Sequence, residues 1–303
     1  MYSIEQKTIR NKRFFYLIKR IRIGKKYKKI QVYIGKSVPN DITGELRLMR
    51  EKELELVPEI LKNIRLPDKN ISLNEYSSVE ETRIAFEYEQ YVLSKAMLKR
   101  RWRSFAINFI FESNAIEGSK LSEREVEAII LNRYIKKTLE RREVKEVKNA
   151  IEAFNLIRSG KFNLNQRSII ALHALITKNL GISRGYKTHK IVVNNKLTTS
   201  PGLVRGEMAN LLSWWKKGKK KENPFYTAII FHQRFERIHP FEDGNGRIGR
   251  LIFIWMLLKA GYGVILFKNK NRQAYFSVLS KADGGQSRAW FRFAMKIYKN
   301  TKF

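Results

Sequence analysis

Residues His239 to Arg250 read HPFEDGNGRIGR, and the reading of the whole chain works outward from them. Helical patterns over Phe225–Ile238 and Ile248–Leu258 flank this loop, so Gly244, Asn245 and Gly246 fall where a helix begins. Small residues there let backbone amides converge on one point and, with the helix dipole, form an anion-binding nest. Arg247 and Arg250, at i and i+3 on the first turn, are expected on the same side. Their forked, permanently charged donors suit phosphate oxygens. Asp243 is placed to hold magnesium beside bound phosphates. His239, ending the preceding helix, titrates in the range that suits proton abstraction near neutral pH. Phe241 is the expected apolar anchor. Anion cradle, metal ligand and base together describe a phosphoryl or nucleotidyl transfer site.

Just past this loop, LIFIWMLL (Leu251–Leu258) is apolar all round but is interrupted by Lys259. It falls short of the roughly 20 apolar residues that span a bilayer, so it reads as the buried centre of a helical domain. The N-terminal apolar run Phe14–Ile18 is too short, and too closely ringed by Lys and Arg, for a signal peptide. The expectation is a soluble, cytoplasmic protein. With no cysteine, disulfides, thiol catalysis and Cys–zinc sites are excluded. Four histidines without paired spacing argue against a His-built metal site.

A net charge of +33 draws polyanions by general electrostatics; the alternative is a solvated lysine-rich surface. Residues 1–38 are expected to form a small basic β-ribbon. RFFYLIKRIRIG and KKIQVYIGK suggest two strands turning at Gly24-Lys25-Lys26, with a third before Arg13. Glu5 is the only acid in the first 36 residues. Such a ribbon could bind single-stranded nucleic acid or a phosphate backbone, or be a packing element whose lysines discourage edge aggregation. Residues 39–102 read as a helical region, with an N-terminal cap suggested at Ser77-Ser78 before Glu80-Glu81. Helical patterns continue to the C-terminus, broken by YKTHKIVVNNKL (186–197), a hairpin turning near Asn194-Asn195.

HPFEDGNGRIGR resembles the signature H-x-F-x-[DE]-G-N-G-R-x-x-R of the Fic family. Seven fixed letters, each about one in twenty, recur by chance on the order of once in 10⁹ positions. The similarity runs from about Arg103 to Tyr298, giving a third region, 103–303, as the Fic core. It implies a mainly α fold, a helical core with a β-hairpin flap, plus the N-terminal ribbon. It further implies transfer of AMP from ATP to a Ser, Thr or Tyr hydroxyl of a target protein. In that mapping His239 deprotonates the hydroxyl and Asp243 holds Mg²⁺. Gly244, Asn245 and Gly246 form the anion hole, with Ile248 and Gly249 in the same loop. Arg247 and Arg250 orient the outer phosphates.

The 186–197 segment corresponds to the family's flap, which docks a target by adding a strand, with Val193 and Asn194 near the nucleotide. The usual flap arginine is here Lys187. NRQAYFSVLSKAD resembles the segment that brings aromatics near adenine, making Tyr275 and Phe276 candidates; ordinary helix packing is the alternative. SNAIEG (Ser113–Gly118) resembles the inhibitory motif [ST]-x-x-x-E-[GN], in the N-terminal placement called class II. Ser113, Glu117 and Gly118 would end a helix at about 105–117, with Glu117 paired to Arg250 in place of the ATP γ-phosphate. Removal of AMP, or transfer of UMP, phosphate or phosphocholine, is open at the same site. A nucleic-acid-binding regulatory protein is the alternative of another class. Many class II relatives dimerise, so a homodimer is the expectation.

Overall fold

The computed structural model describes residues 2–63, 71–133, 138–193, 196–218 and 223–303, and the chain divides into two compact units, 1–99 and 100–303. The first unit opens with an antiparallel sheet of order β1 (Ser3–Ile9), β2 (Lys12–Ile23) and β3 (Lys26–Gly35). The two turns differ in chemistry. Arg10 and Asn11 both take positive φ (49° and 58°), the geometry that matches the twist of a two-residue hairpin. The β2–β3 turn uses Gly24 at φ 60°, where glycine carries no steric cost.

Alternation along β2 and β3 sorts the sheet into two faces. Leu17, Ile21, Ile23, Ile30 and Val32 bury one face in a core shared with Leu46 and Met49 of α1 (Thr43–Glu55) and Ile60 of α2 (Val57–Lys62). The strands of 1–38 and the helices that follow therefore share one core. Lys19 also lies buried in this unit, and it is paired: its Nζ meets Glu53 at 2.5 Å and Glu87 at 2.7 Å. Arg83 binds Glu53 at 3.0 Å and Glu80 at 2.7 Å. Buried charge persists because each ion has partners. Helix α3 (Leu73–Val92) begins earlier than the Ser77-Ser78 cap expected from the sequence. Ser72 and Glu75 form a reciprocal capping box, satisfying two amide donors upstream of that site, and Ser77 and Ser78 bond back to carbonyls inside the helix.

Helix α4 (Lys95–Ile116) leads into the second unit, followed by α5 (Glu123–Ile130), α6 (Arg141–Arg158) and α7 (Gln166–Ile176). A two-residue pair, β4 (Val192–Val193) and β5 (Lys196–Leu197), is all that is strand-like among the described residues of the flap. The expected hairpin is shorter than 186–197 because its first residues are held elsewhere. The Lys187 amide donates to Pro240 O at 2.9 Å, and its buried Nζ donates to Thr198 Oγ1 at 2.6 Å. The expected turn at Asn194-Asn195 lies outside the described residues. Then come α8 (Pro201–Gly218), α9 (Pro224–Ile238), α10 (Asn245–Lys259), α11 (Arg272–Asp283) and α12 (Ser287–Asn300). Helix α10 is buried from Asn245 through Leu257 and packs on α9, α6 and α7, which accounts for its lack of a polar face. Among the described residues no helix is long and apolar enough to cross a membrane.

Candidate active site

Helix α9 ends at Ile238, and His239 caps it in the left-handed region (φ 50°, ψ 63°) with its amide on Phe235 O at 3.0 Å. Pro240 has no amide to continue the helix, so the chain breaks away here. Phe241 then enters the core and stacks on the buried His173 ring, centroids 4.0 Å apart and planes 4° from parallel. Asn245 closes the loop behind it. Its Oδ1 accepts from the Phe241 amide and its Nδ2 donates to the Phe241 carbonyl, both at 2.9 Å. The Asn245 side chain therefore laces the loop, and its contribution to an anion would come from the backbone.

Gly244 sits at φ 81° as the N-cap of α10. The Ile248 amide already bonds to Gly244 O at 3.0 Å, so Ile248 lies one position too deep to donate to an anion. The amides of Asn245, Gly246 and Arg247 are the donors a helix start leaves unclaimed. Gly246 is where something approaches: a Cβ there would overlap Glu117 Oε1. Gly249, one helical turn on from Gly246 and on the same side of α10, permits another close approach, since its Cβ would overlap Glu236 Oε1.

The two arginines turn to different partners. Arg247 Nη2 lies 3.2 Å from Asp243 Oδ1, and its Nη1 lies 3.5 Å from Glu146 on α6. Arg250 is fully buried. Its Nε donates to Ser113 Oγ and its Nη2 to Ser113 O, both at 2.9 Å, and Nη2 also reaches Glu117 Oε1 at 2.7 Å. Its Nη1 has no partner among the described residues. The segment SNAIEG thus ends α4 against the start of α10. Gly118, at φ 103°, lets the chain turn so that Ser119 N bonds Asn114 O at 3.0 Å.

Burial governs the protonation of this site. The His239 imidazole is pushed down to about 4, first by desolvation and then by the Lys187 ammonium. Lys187 itself is lowered to about 8 by burial. Glu236, one turn before His239, is raised to about 8 by burial, against the pull of Arg250. Sequence reasoning did not single out Glu236: a lone acid in a helix carries no local signal, and only its burial makes it unusual.

A cleft of about 610 Å³ opens beside His239, lined among others by Val193, Glu236, Arg272, Phe276 and Asp283. Phe276 faces it with the Arg272 guanidinium 5.0 Å over its ring, and Arg272 Nε also donates to Ile116 O at 2.7 Å. Tyr275, expected near adenine, instead lies in the core with its hydroxyl 2.7 Å from His232 Nε2. Of the pair, Phe276 lines the cleft and Tyr275 turns into the core. Asn194 lies outside the described residues. Asp243 is part-exposed, and its ion-pair partners among the described residues are both arginines, Arg247 and Arg142 (3.5 Å). Among the described residues no three acids or histidines converge on a metal site.

Fold and loop together resemble the Fic type, a helical core organised around a glycine-rich helix entry. Residues 163–257 match the Fic/DOC family, and the chain carries a Fic domain. Curated relatives include "Protein adenylyltransferase Fic" of Nematostella vectensis, 28% identical over 214 residues (67% of this chain, 49% of the relative). The Aedes aegypti protein of the same name is 27% identical over 245 residues (78% and 46%). The chain thus spans about half the length of the curated relatives it matches. Among solved structures, a Fic-domain-containing signaling protein from Bacteroides thetaiotaomicron superposes with TM-score 0.67 at 21% identity, covering 73% of this chain and 92% of that one. A Fic family protein from Desulfovibrio desulfuricans gives 0.64 at 25% identity, covering 78% and 75%.

Proposed function

We propose that this protein is an adenylyltransferase that moves AMP from ATP to a hydroxyl of a target protein, and that Glu117 holds it inactive. The observation carrying this reading is the Glu117 carboxylate, seated over Gly246 at the N-terminus of α10 and paired to Arg250 at 2.7 Å. A negative oxygen thus already occupies the place that backbone donors and a guanidinium offer to a phosphate. In the reaction the target oxygen attacks the α-phosphorus and its proton passes to the neutral His239 ring. The bond to pyrophosphate breaks, and the α10 amides with Arg247 and Arg250 take up the developing charge. Asp243 suits Mg²⁺ arriving with the nucleotide, since one part-exposed carboxylate leaves the other positions to phosphate and water. The metal would neutralise phosphate charge.

The target docks on the flap. Val192 and Leu197 are exposed there, and a two-residue pair leaves open edges for an added strand. A homodimer is proposed on the resemblance alone, and light scattering decides it.

The decisive experiment incubates wild type and Glu117→Gly with α-labelled ATP, Mg²⁺ and host lysate. Labelling weak in wild type and at least tenfold stronger in Glu117→Gly supports the reading. Equal labelling of the two would overturn the inhibitory role, and label kept by Glu117→Gly/His239→Ala would overturn the base. A second reading, removal of AMP, draws on the same carboxylate, which could position water for hydrolysis. Release of AMP from a modified target that requires Glu117 would favour it. Comparing α- with γ-labelled nucleotides separates AMP transfer from phosphate transfer.

A further inference from the structure

One face of the N-terminal sheet buries its alternate residues in the core, while the other carries a different chemistry. Cross-strand pairing places Glu5 opposite Tyr16, Tyr16 opposite Tyr33, Arg20 opposite Lys29 and Arg22 opposite Tyr27. Directly opposed residues share a face, so these side chains share the one opposite Leu17, Ile21 and Val32. Phe14, Tyr33 and Tyr16 form a row with centroids 6.3 and 5.4 Å apart. The rings are tilted by 49° and 54°, so they do not stack on one another. Lys7 Nζ lies 4.5 Å over Tyr16. Tyr33 is 49% exposed and Tyr27 68% exposed. Ile18 alone on the β2 side of this face is buried.

Large exposed aromatics cost solubility and do nothing for a core, so their persistence among cations needs an explanation. Every charged residue of the first 36 except Glu5 is Lys or Arg, and Glu5 is already held by Lys29 at 2.7 Å. We propose that this face binds single-stranded nucleic acid. Bases stack on Tyr33 and Tyr27, while Arg20 and Arg22 take the phosphates. From the Tyr16–Tyr33 pair to the Arg22–Tyr27 pair is about six residues, or about 20 Å, which accommodates several nucleotides. Three other anionic partners fit less well. A duplex groove admits a helix or a two-stranded ribbon, and this sheet is three strands wide. An acidic peptide offers no planar partner for the rings, and an anionic membrane offers none either.

The test must separate this face from the general pull of a +33 chain. Charge-preserving substitutions do so. Anisotropy of fluorescein-labelled dT12 and U12 is measured with the full chain at 50 and 200 mM salt. The proteins are wild type, Tyr27→Ala/Tyr33→Ala, Tyr27→Phe/Tyr33→Phe and Arg20→Gln/Arg22→Gln, each first checked for folding by circular dichroism. The Ala pair is expected to weaken binding at least tenfold at unchanged net charge, and the Phe pair to restore it. The Arg pair should flatten the salt slope by about 1.4, at roughly 0.7 for each phosphate no longer neutralised. Binding unaffected by the Ala pair overturns the proposal, as does absence of binding at 50 mM salt. Preference for a 12-base-pair duplex or for anionic vesicles over dT12 overturns it too.

Discussion

In the proposed reaction His239 must be neutral to accept a proton, and its surroundings arrange that in advance. Burial and the nearby Lys187 hold the ring down at about 4 instead of 6.5. The proposed base is therefore neutral across the physiological range, and the acid limb of kcat/KM should fall well below pH 6.5. Lys187→Met removes one of the two causes, so its acid limb should move upward in a pH–rate profile of Glu117→Gly. The linked effect on stability has a definite sign. Between about 4 and 6.5 the folded chain holds fewer protons at His239 than the unfolded one, so acidification through that window destabilises it. Glu236 runs the other way. Raised from 4.5 to about 8, it keeps its proton when folded, so stability falls as pH rises through that window. Thermal denaturation should show Glu236→Gln gaining on wild type from about pH 5 to about pH 8, by roughly 2–4 °C for each kcal/mol relieved.

At the scale of elements, the contact between the end of α4 and the start of α10 decides the state of the site on the proposed reading. Ser113 contributes two acceptors to Arg250, its hydroxyl and its carbonyl, and only the hydroxyl can be removed by substitution. Ser113→Ala should loosen the hold by about 1–2 kcal/mol, and labelling with α-labelled ATP should rise to between wild type and Glu117→Gly. The capping box of α3 has a purely structural consequence. Ser72→Ala should cost about 1 kcal/mol, read as a lower denaturation midpoint with nucleotide transfer unchanged. The sequence signal there is ambiguous because several serines precede acids. Only tertiary packing selects which one ends the loop.

Across the whole molecule, each unit has a polar arrangement of its own within its packing: the Lys19–Glu53–Arg83 network in the first and the Arg250 pocket in the second. Glu53→Ala should destabilise by about 3–5 kcal/mol, because it strips a carboxylate from two buried or half-buried cations. Chemical denaturation measures it, and a loss under about 1 kcal/mol would show the network to be dispensable. What the sequence itself determined is local. The strands of 1–36, the helical periodicity after Pro39 and the loop HPFEDGNGRIGR follow from alternation, turn residues and the order of residues at a helix entry. The wholly apolar stretch at Leu251 likewise announced a central helix. Only the tertiary structure decided that Glu236 and Lys187 are buried, that Arg272 joins the cleft to the end of α4, and that Phe276 rather than Tyr275 faces the cleft. It also seated Glu117 over Gly246, which the motif could suggest but not position. The physical reason is range: periodicity and capping act within a few residues, whereas desolvation and a 2.7 Å ion pair across 133 residues exist only once the helices have packed.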